Sequence, residues 1–179
     1  MTIDQNFLKS YYPEHIIKKA KQVELLAFDV DGVLTDGGLY YDHEGNEHKK
    51  FFAQDGHGIK ILQSIGIETM IISGRQAACV KHRAEELGID YVVQGSRNKL
   101  KSFYDQNLSI SLEKVCFVGD DTVDVEILNS VGMSVVVPNT NPTIDIKQFD
   151  WVTKRNGGCG AIRDVCDLIY FSKTLNEKI

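Results

Sequence analysis

The chain has 179 residues, 42% of them hydrophobic and 25% charged, with a net charge of −5. That length suits one domain with its own core, and an acidic chain without a run of Lys and Arg does not suit nucleic-acid binding. No apolar run is long enough to span a bilayer, and the first fifteen residues lack the apolar centre of a signal peptide.

In chain order, "KKAK" at 18–21 reads as the solvated face of a helix. The first apolar run, 23–30, reads as a buried strand. Residues 37–56 hold two β-prone runs around "HEGNE" and predict a hairpin with its turn near Gly45 and Asn46. Its Tyr40, Tyr41, Phe51 and Phe52 call for a surface to pack on, such as another subunit. Further strands are predicted at 67–73, 89–94, 114–119 and 133–138, with a weaker one at 149–153. Helices are predicted at 57–65, 75–87, 97–107, 122–131 and 160–173, three of them followed by a stop glycine at Gly66, Gly88 and Gly132.

Near-continuous apolar strands alternating with helices predict an α/β fold: a Rossmann-like open parallel sheet with helices on both faces. We expect one domain over 1–179, with the hairpin inserted after the first strand and a tail from about 173 to 179. Cys79, Cys116, Cys159 and Cys166 form no CxxC pair, which points to a reducing cytoplasm without disulfides or zinc. None of His15, His43, His48 and His57 has metal-ligand spacing with an acid or another histidine, and His82 falls on a polar helix face.

In open α/β sheets, ligands bind beyond the carboxyl ends of the strands. After the first strand come Asp29, Asp31 and Gly32; after the second, Ser73 and Arg75; after the third, Lys99; after the fourth, Asp120, Asp121 and Asp124. A two-residue period would put the Asp29 and Asp31 side chains on one side of the strand end, with Asp120 arriving beside them. Three converging carboxylates need a cation, and hard oxygen ligands select Mg²⁺. Ser73, Arg75 and Lys99 would then hold phosphate oxygens. The chemistry this suits is phosphoryl transfer, with Asp29 as nucleophile, Asp31 as acid then base, and Lys99 sharing the developing charge.

These segments resemble the motifs of the haloacid dehalogenase-like phosphatases: "DVDGVLTDG" the first, Ser73 the second, Lys99 the third and "GDDTVD" the fourth. The chain leaves no room for the usual cap domain. Nearly end to end it is similar to the capless 3-deoxy-D-manno-octulosonate 8-phosphate phosphatases. The segments that carry the likeness are "FDVDGVLTDG", "QDGHGIK", "ISGRQAACVKHRAEELGI", "QGSRNKL", "VGDDTVDVEIL" and "GGCGAIRDVCDLI". The resemblance implies Mg²⁺ bound by Asp29, Asp120 and the main-chain carbonyl of Asp31. It implies substrate contacts from Asp55, Gly56, Lys60, Arg75, Arg83 and Lys99, although the family often has arginine at position 60 and tyrosine at position 57. Asp121 and Asp124 would support the site, one through water, the other by positioning Lys99 or a loop. It further implies a homotetramer in which a neighbour's hairpin and C-terminal tail close the site. The substrate would be a small phosphorylated sugar acid feeding lipopolysaccharide synthesis.

Other readings are a phosphatase for a nine-carbon sialic or deaminoneuraminic acid 9-phosphate, a nonenzymatic oligomerisation module, and a phosphate-accepting receiver domain. The complete acid, hydroxyl, lysine and acid set argues against the oligomerisation module, and a receiver domain lacks a second acid two residues after the acceptor, where this chain has Asp31. "GGCGAI" at 157–162 is not a dinucleotide loop, because it follows the last strand rather than opening a βαβ unit; the resemblance makes it part of a tail that reaches a neighbour's site.

Overall fold

The sheet owes its two-sided core to alternation along its strands. In the computed structural model, which describes residues 5–175, Leu26 and Phe28 of strand β1 (Leu25–Phe28) belong to one apolar cluster, while Leu25 and Ala27 belong to another. The first cluster is covered by helices α2 (Glu14–Gln22), α3 (Ala53–Ser64), α4 (Ala78–Leu87) and α7 (Ala161–Thr174). The second is covered by α5 (Lys99–Asp105) and α6 (Val125–Leu128). Burial on both faces is why these strands read as unbroken apolar runs.

The other strands are the hairpin pair β2 (Tyr40–Tyr41) and β3 (Glu47–His48), then β4 (Glu68–Ile72), β5 (Tyr91–Val93), β6 (Val115–Gly119), β7 (Met133–Val136) and β8 (Trp151–Val152). Among the described residues the main sheet has the order β5-β4-β1-β6-β7-β8, with every pairing parallel. The chain runs outward from β1 to β5, then returns to β6 on the other side of β1. That reversal opens a crevice at the carboxyl end of β1, between β4 and β6.

Several boundaries differ from the sequence reading. A short helix, α1 (Gln5–Tyr11), precedes α2, and the expected helix at 57–65 begins earlier, at Ala53. The hairpin is therefore shorter than expected. Its two strands pair over two residues each, and its base is closed by a bridge between Thr35 and Phe51. The helix expected at 122–131 is a single 3-10 turn, Thr122–Asp124, followed by α6. Gly66 and Gly88 take left-handed conformations after their helices, but Gly132 does not. A Cβ at Gly132 would stand 1.8 Å from the Glu113 carbonyl oxygen, so glycine is needed there for close approach rather than as a helix stop. All four cysteines are free thiols. Among the described residues no helix is long and apolar enough to cross a membrane. Of the expected tail, residues 176–179 lie outside the described residues.

Candidate active site

The pairing of β1 with β6 continues one residue past the strand, where Asp29 N–H donates to the Val118 carbonyl at 3.0 Å. The chain then leaves the sheet in a wide turn, Val30–Leu34, that needs Gly32 at φ 86°. A Cβ on Gly32 would lie 2.0 Å from Oδ2 of Asp120, so the turn passes directly against that carboxylate.

Lys99, the first residue of α5, is only 2% exposed. Its ammonium lies 2.8 Å from Oδ2 of Asp29 and also bonds Oδ1 of Asp124. The other Asp124 oxygen accepts from the main-chain N–H groups of Asp120 and Asp121 at 3.0 and 3.1 Å. One buried carboxylate thus positions both the lysine and the loop after β6. Asp121 caps that loop, accepting from Thr122 N–H and from Asn141 Nδ2.

Oxygens of Asp29, Asp120 and Asp124 lie within 4.8 Å of one another. Burial lifts the Asp29 carboxyl to about 6 against the pull of Lys99. Burial, then the Asp29 and Asp124 charges, lifts Asp120 to about 8. Burial alone would lower Lys99, but the Asp29 and Asp124 charges outweigh it and raise that group. Oδ1 of Asp120 is buried without a hydrogen-bond partner. An orphaned carboxylate oxygen beside a second buried carboxylate fits a hard divalent cation. Asp124 fits it less well, because both its oxygens are already bonded to Lys99 and the backbone.

Asp31 departs from the expected convergence. The strand ends before it, and its side chain turns away from the three clustered acids toward the hairpin. Oδ1 bonds the ammonium of Lys49, and Oδ2 lies 3.8 Å from Arg75 Nε. Arg75 in turn bonds Glu47 Oε2 at 3.0 Å and the Tyr41 hydroxyl at 3.4 Å. Ser73, buried at the end of β4, accepts from Arg75 N–H, which leaves its own proton free to donate.

Four other expected contacts lie elsewhere in this chain. Asp55 is fully buried, and its Oδ1 accepts from Arg163 N–H at 2.7 Å in the first turn of α7. In this structure it caps that helix from within the core, and its Oδ2 is buried without a hydrogen-bond partner. Gly56 makes room for a guanidinium, since a Cβ there would stand 2.4 Å from Arg83 Nη2. Arg83 pairs with Glu86 and faces the Phe51 ring, in a separate cleft of about 300 Å³ lined also by Cys79 and His82. Lys60 is exposed near Gly88, beside the amino end of β5, away from the carboxylates.

The segment expected as a tail instead buttresses the Asp29 loop. Gly158 N–H donates to the Val33 carbonyl at 3.0 Å. Asn139 bridges the two segments, donating to the Gly32 carbonyl and accepting from Gly157 N–H. Asn139 directly follows the "MSVVVP" run, so the strand-end rule that found the other residues would have found it at the next strand. Lys49 and Glu47 were also missed; they join the site through long-range ion pairs to Asp31 and Arg75, which a rule about strand ends does not reach.

A family model described as haloacid dehalogenase-like hydrolase matches residues 97–164. The 3-deoxy-D-manno-octulosonate 8-phosphate phosphatase of Salmonella typhi is 43% identical over 161 residues, covering 89% of this chain and 85% of that protein. The Escherichia coli K12 phosphatase of the same name is 43% identical over 160 residues, covering 88% of this chain and 85% of its own length. Among solved structures, the Moraxella catarrhalis enzyme of that name, in complex with magnesium ion, phosphate ion and KDO, superposes with a TM-score of 0.85 at 39% identity, covering 90% of this chain and 94% of that one. The Yersinia pestis enzyme gives 0.86 at 38% identity, over 89% and 87% of the two chains.

Proposed function

The chain belongs to the 3-deoxy-D-manno-octulosonate 8-phosphate phosphatase family of haloacid dehalogenase-like hydrolases, and on that premise we propose how its own residues carry out the hydrolysis. The reaction releases 3-deoxy-D-manno-octulosonate and inorganic phosphate, in lipopolysaccharide biosynthesis. The observation that carries the residue assignment is the buried pairing of Lys99 with Asp29, beside the unpartnered oxygen of Asp120.

Asp29 is the nucleophile. Its carboxylate oxygen forms a bond to phosphorus as the ester P–O bond breaks, and the departing alcohol oxygen takes a proton from Asp31. Water then attacks the aspartyl-phosphate and gives a proton back to Asp31. The P–O bond to Asp29 breaks, which frees phosphate and restores the carboxylate. Lys99 balances charge on the transferring group, and Ser73 donates a hydrogen bond to a phosphoryl oxygen. Arg75 contributes positive charge at the same edge. Asp29, Asp120 and the main-chain carbonyl of Asp31 would hold Mg²⁺, which when bound neutralises charge between two anions. Asp124 and Asp121 support the site by fixing Lys99 and the loop after β6.

We infer a single phosphatase domain over 1–179 and a homotetramer in which a neighbour's hairpin and C-terminal tail help close the site. Exposure of Leu39 and Tyr41 on the hairpin supports the second inference. The four free thiols support a cytoplasmic location. The test of function is phosphate release from 3-deoxy-D-manno-octulosonate 8-phosphate and from a nine-carbon sugar acid 9-phosphate, each with Mg²⁺ and with EDTA. The eight-carbon substrate should turn over faster, with loss in EDTA and recovery on adding Mg²⁺. Preference for the nine-carbon substrate would overturn the assignment. Light scattering checks the tetramer.

A further inference from the structure

Four charged groups of alternating sign close a ring between the hairpin and the Asp29 loop. Lys49 lies just past strand β3 with its side chain fully buried. It bonds Oδ1 of Asp31 and lies 2.7 Å from Oε1 of Glu47. Glu47 reaches Arg75 through its other oxygen, and Arg75 faces Oδ2 of Asp31. Among the described residues Oδ2 takes no hydrogen bond, since 3.8 Å from Arg75 Nε is too long for one. Lys and Glu are seldom buried without a partner, and desolvated charge held in one geometry is costly unless it is fully bonded. A surface hairpin that needs only solubility has no reason to fold an ammonium inward onto a carboxylate sixteen residues upstream of its own strand.

We propose that Lys49 is a positioning residue for the reaction: it holds Asp31 by Oδ1 so that Oδ2 is presented to the departing alcohol oxygen, with Glu47 as its anchor. This rests on the reading of Asp31 as the proton donor to the leaving group. Without Lys49 the Asp31 side chain has more rotamers open to it, and proton transfer to a poor leaving group slows most. A good leaving group, which departs as a stable anion, is affected little.

The experiment measures kcat/KM of the full chain with Mg²⁺ on a series of aryl phosphates, from p-nitrophenyl phosphate to phenyl phosphate. These substrates carry no sugar, so a lost sugar contact cannot mimic the effect. The slope against the leaving phenol's acidity is independent of the fraction of folded protein, so a partly unfolded variant still reports. Lys49→Met should raise the ratio of the p-nitrophenyl to the phenyl rate by roughly tenfold. Asp31→Asn should raise it at least as much, and Lys49→Arg should bring it partly back. If Asp31→Asn steepens the slope while Lys49→Met leaves it at the wild-type value, the role given to Lys49 is wrong and that of Asp31 stands. If neither variant changes the slope, the assignment of Asp31 itself fails, and the proposal with it.

Discussion

The ammonium of Lys99 stands 2.8 Å from Oδ2 of Asp29 and bonds Asp124 as well, so one buried cation serves two buried anions. Removing it leaves both carboxylates unpaired in a low-dielectric pocket. Breaking such a buried pair costs about 3–5 kcal/mol. Lys99→Met should therefore lose both stability and turnover, with kcat falling by roughly 10²–10³-fold or more. Lys99→Arg should not restore activity, because a planar fork cannot replace a point charge between two carboxylates. Thermal unfolding together with steady-state kinetics checks this; an active Lys99→Met enzyme would contradict the role given to the lysine.

Asp29→Asn separates chemistry from fold. Burial already disfavours the Asp29 charge, raising its carboxyl to about 6, and Lys99 keeps Asp124 as a partner when that charge is gone. The variant should melt no lower than wild type while turnover falls by roughly 10⁴-fold or more. Acid-quenched enzyme should carry phosphate covalently in the wild type and none in the variant. Phosphoenzyme in Asp29→Asn would place the nucleophile elsewhere.

The strand ends were legible in the sequence because one rule of topology applies to each: apolar run, then polar residue, at a shared edge. Asp29, Ser73, Lys99 and Asp120 all follow from it. The side-chain direction of Asp31 did not, because the two-residue period holds only while the strand lasts and β1 stops at Phe28. The burial of Asp55 was not legible either, for another reason. A buried carboxylate that caps a helix more than a hundred residues away looks, in sequence, like a polar residue beside a glycine. The sheet order and the layers followed from alternation, whereas the hairpin's hold on Asp31 depends on long-range ion pairs with no local signature.

Asp55 carries a pH dependence of its own. Burial raises its carboxyl from 3.8 to about 6, with the bond from Arg163 N–H pulling the other way. A group raised in the fold favours the folded state while protonated. Its contribution is full below the unfolded value near 4 and is lost as pH rises through about 6. Asp55→Asn keeps the acceptor for Arg163 N–H and removes the titration. The stability of the variant relative to wild type should thus grow between pH 4 and pH 7, by up to roughly 3 kcal/mol. Denaturant unfolding at both pH values measures it; a difference that stays constant with pH would show that Asp55 does not titrate in the fold.

The buttress behind the catalytic loop gives the last test. A Cβ on Gly157 would stand 1.7 Å from the Gly32 carbonyl oxygen, a main-chain contact that cannot be relieved by turning a side chain. Gly157→Ala must push the Asp29 loop or the 157–160 segment aside, and about 1 Å of misplacement at a reacting centre can cost roughly 10²-fold in rate. Gly66→Ala is the matched control. Gly66 has φ 80° and nothing within 4 Å, so alanine there strains the backbone without touching the site. The control should lose about 1 kcal/mol of stability and keep its kcat. Gly157→Ala should unfold cooperatively yet turn over slowly and need more Mg²⁺ for half-maximal rate. Equal kcat in the two variants would mean that the segment supports the fold alone and leaves the catalytic loop where it is.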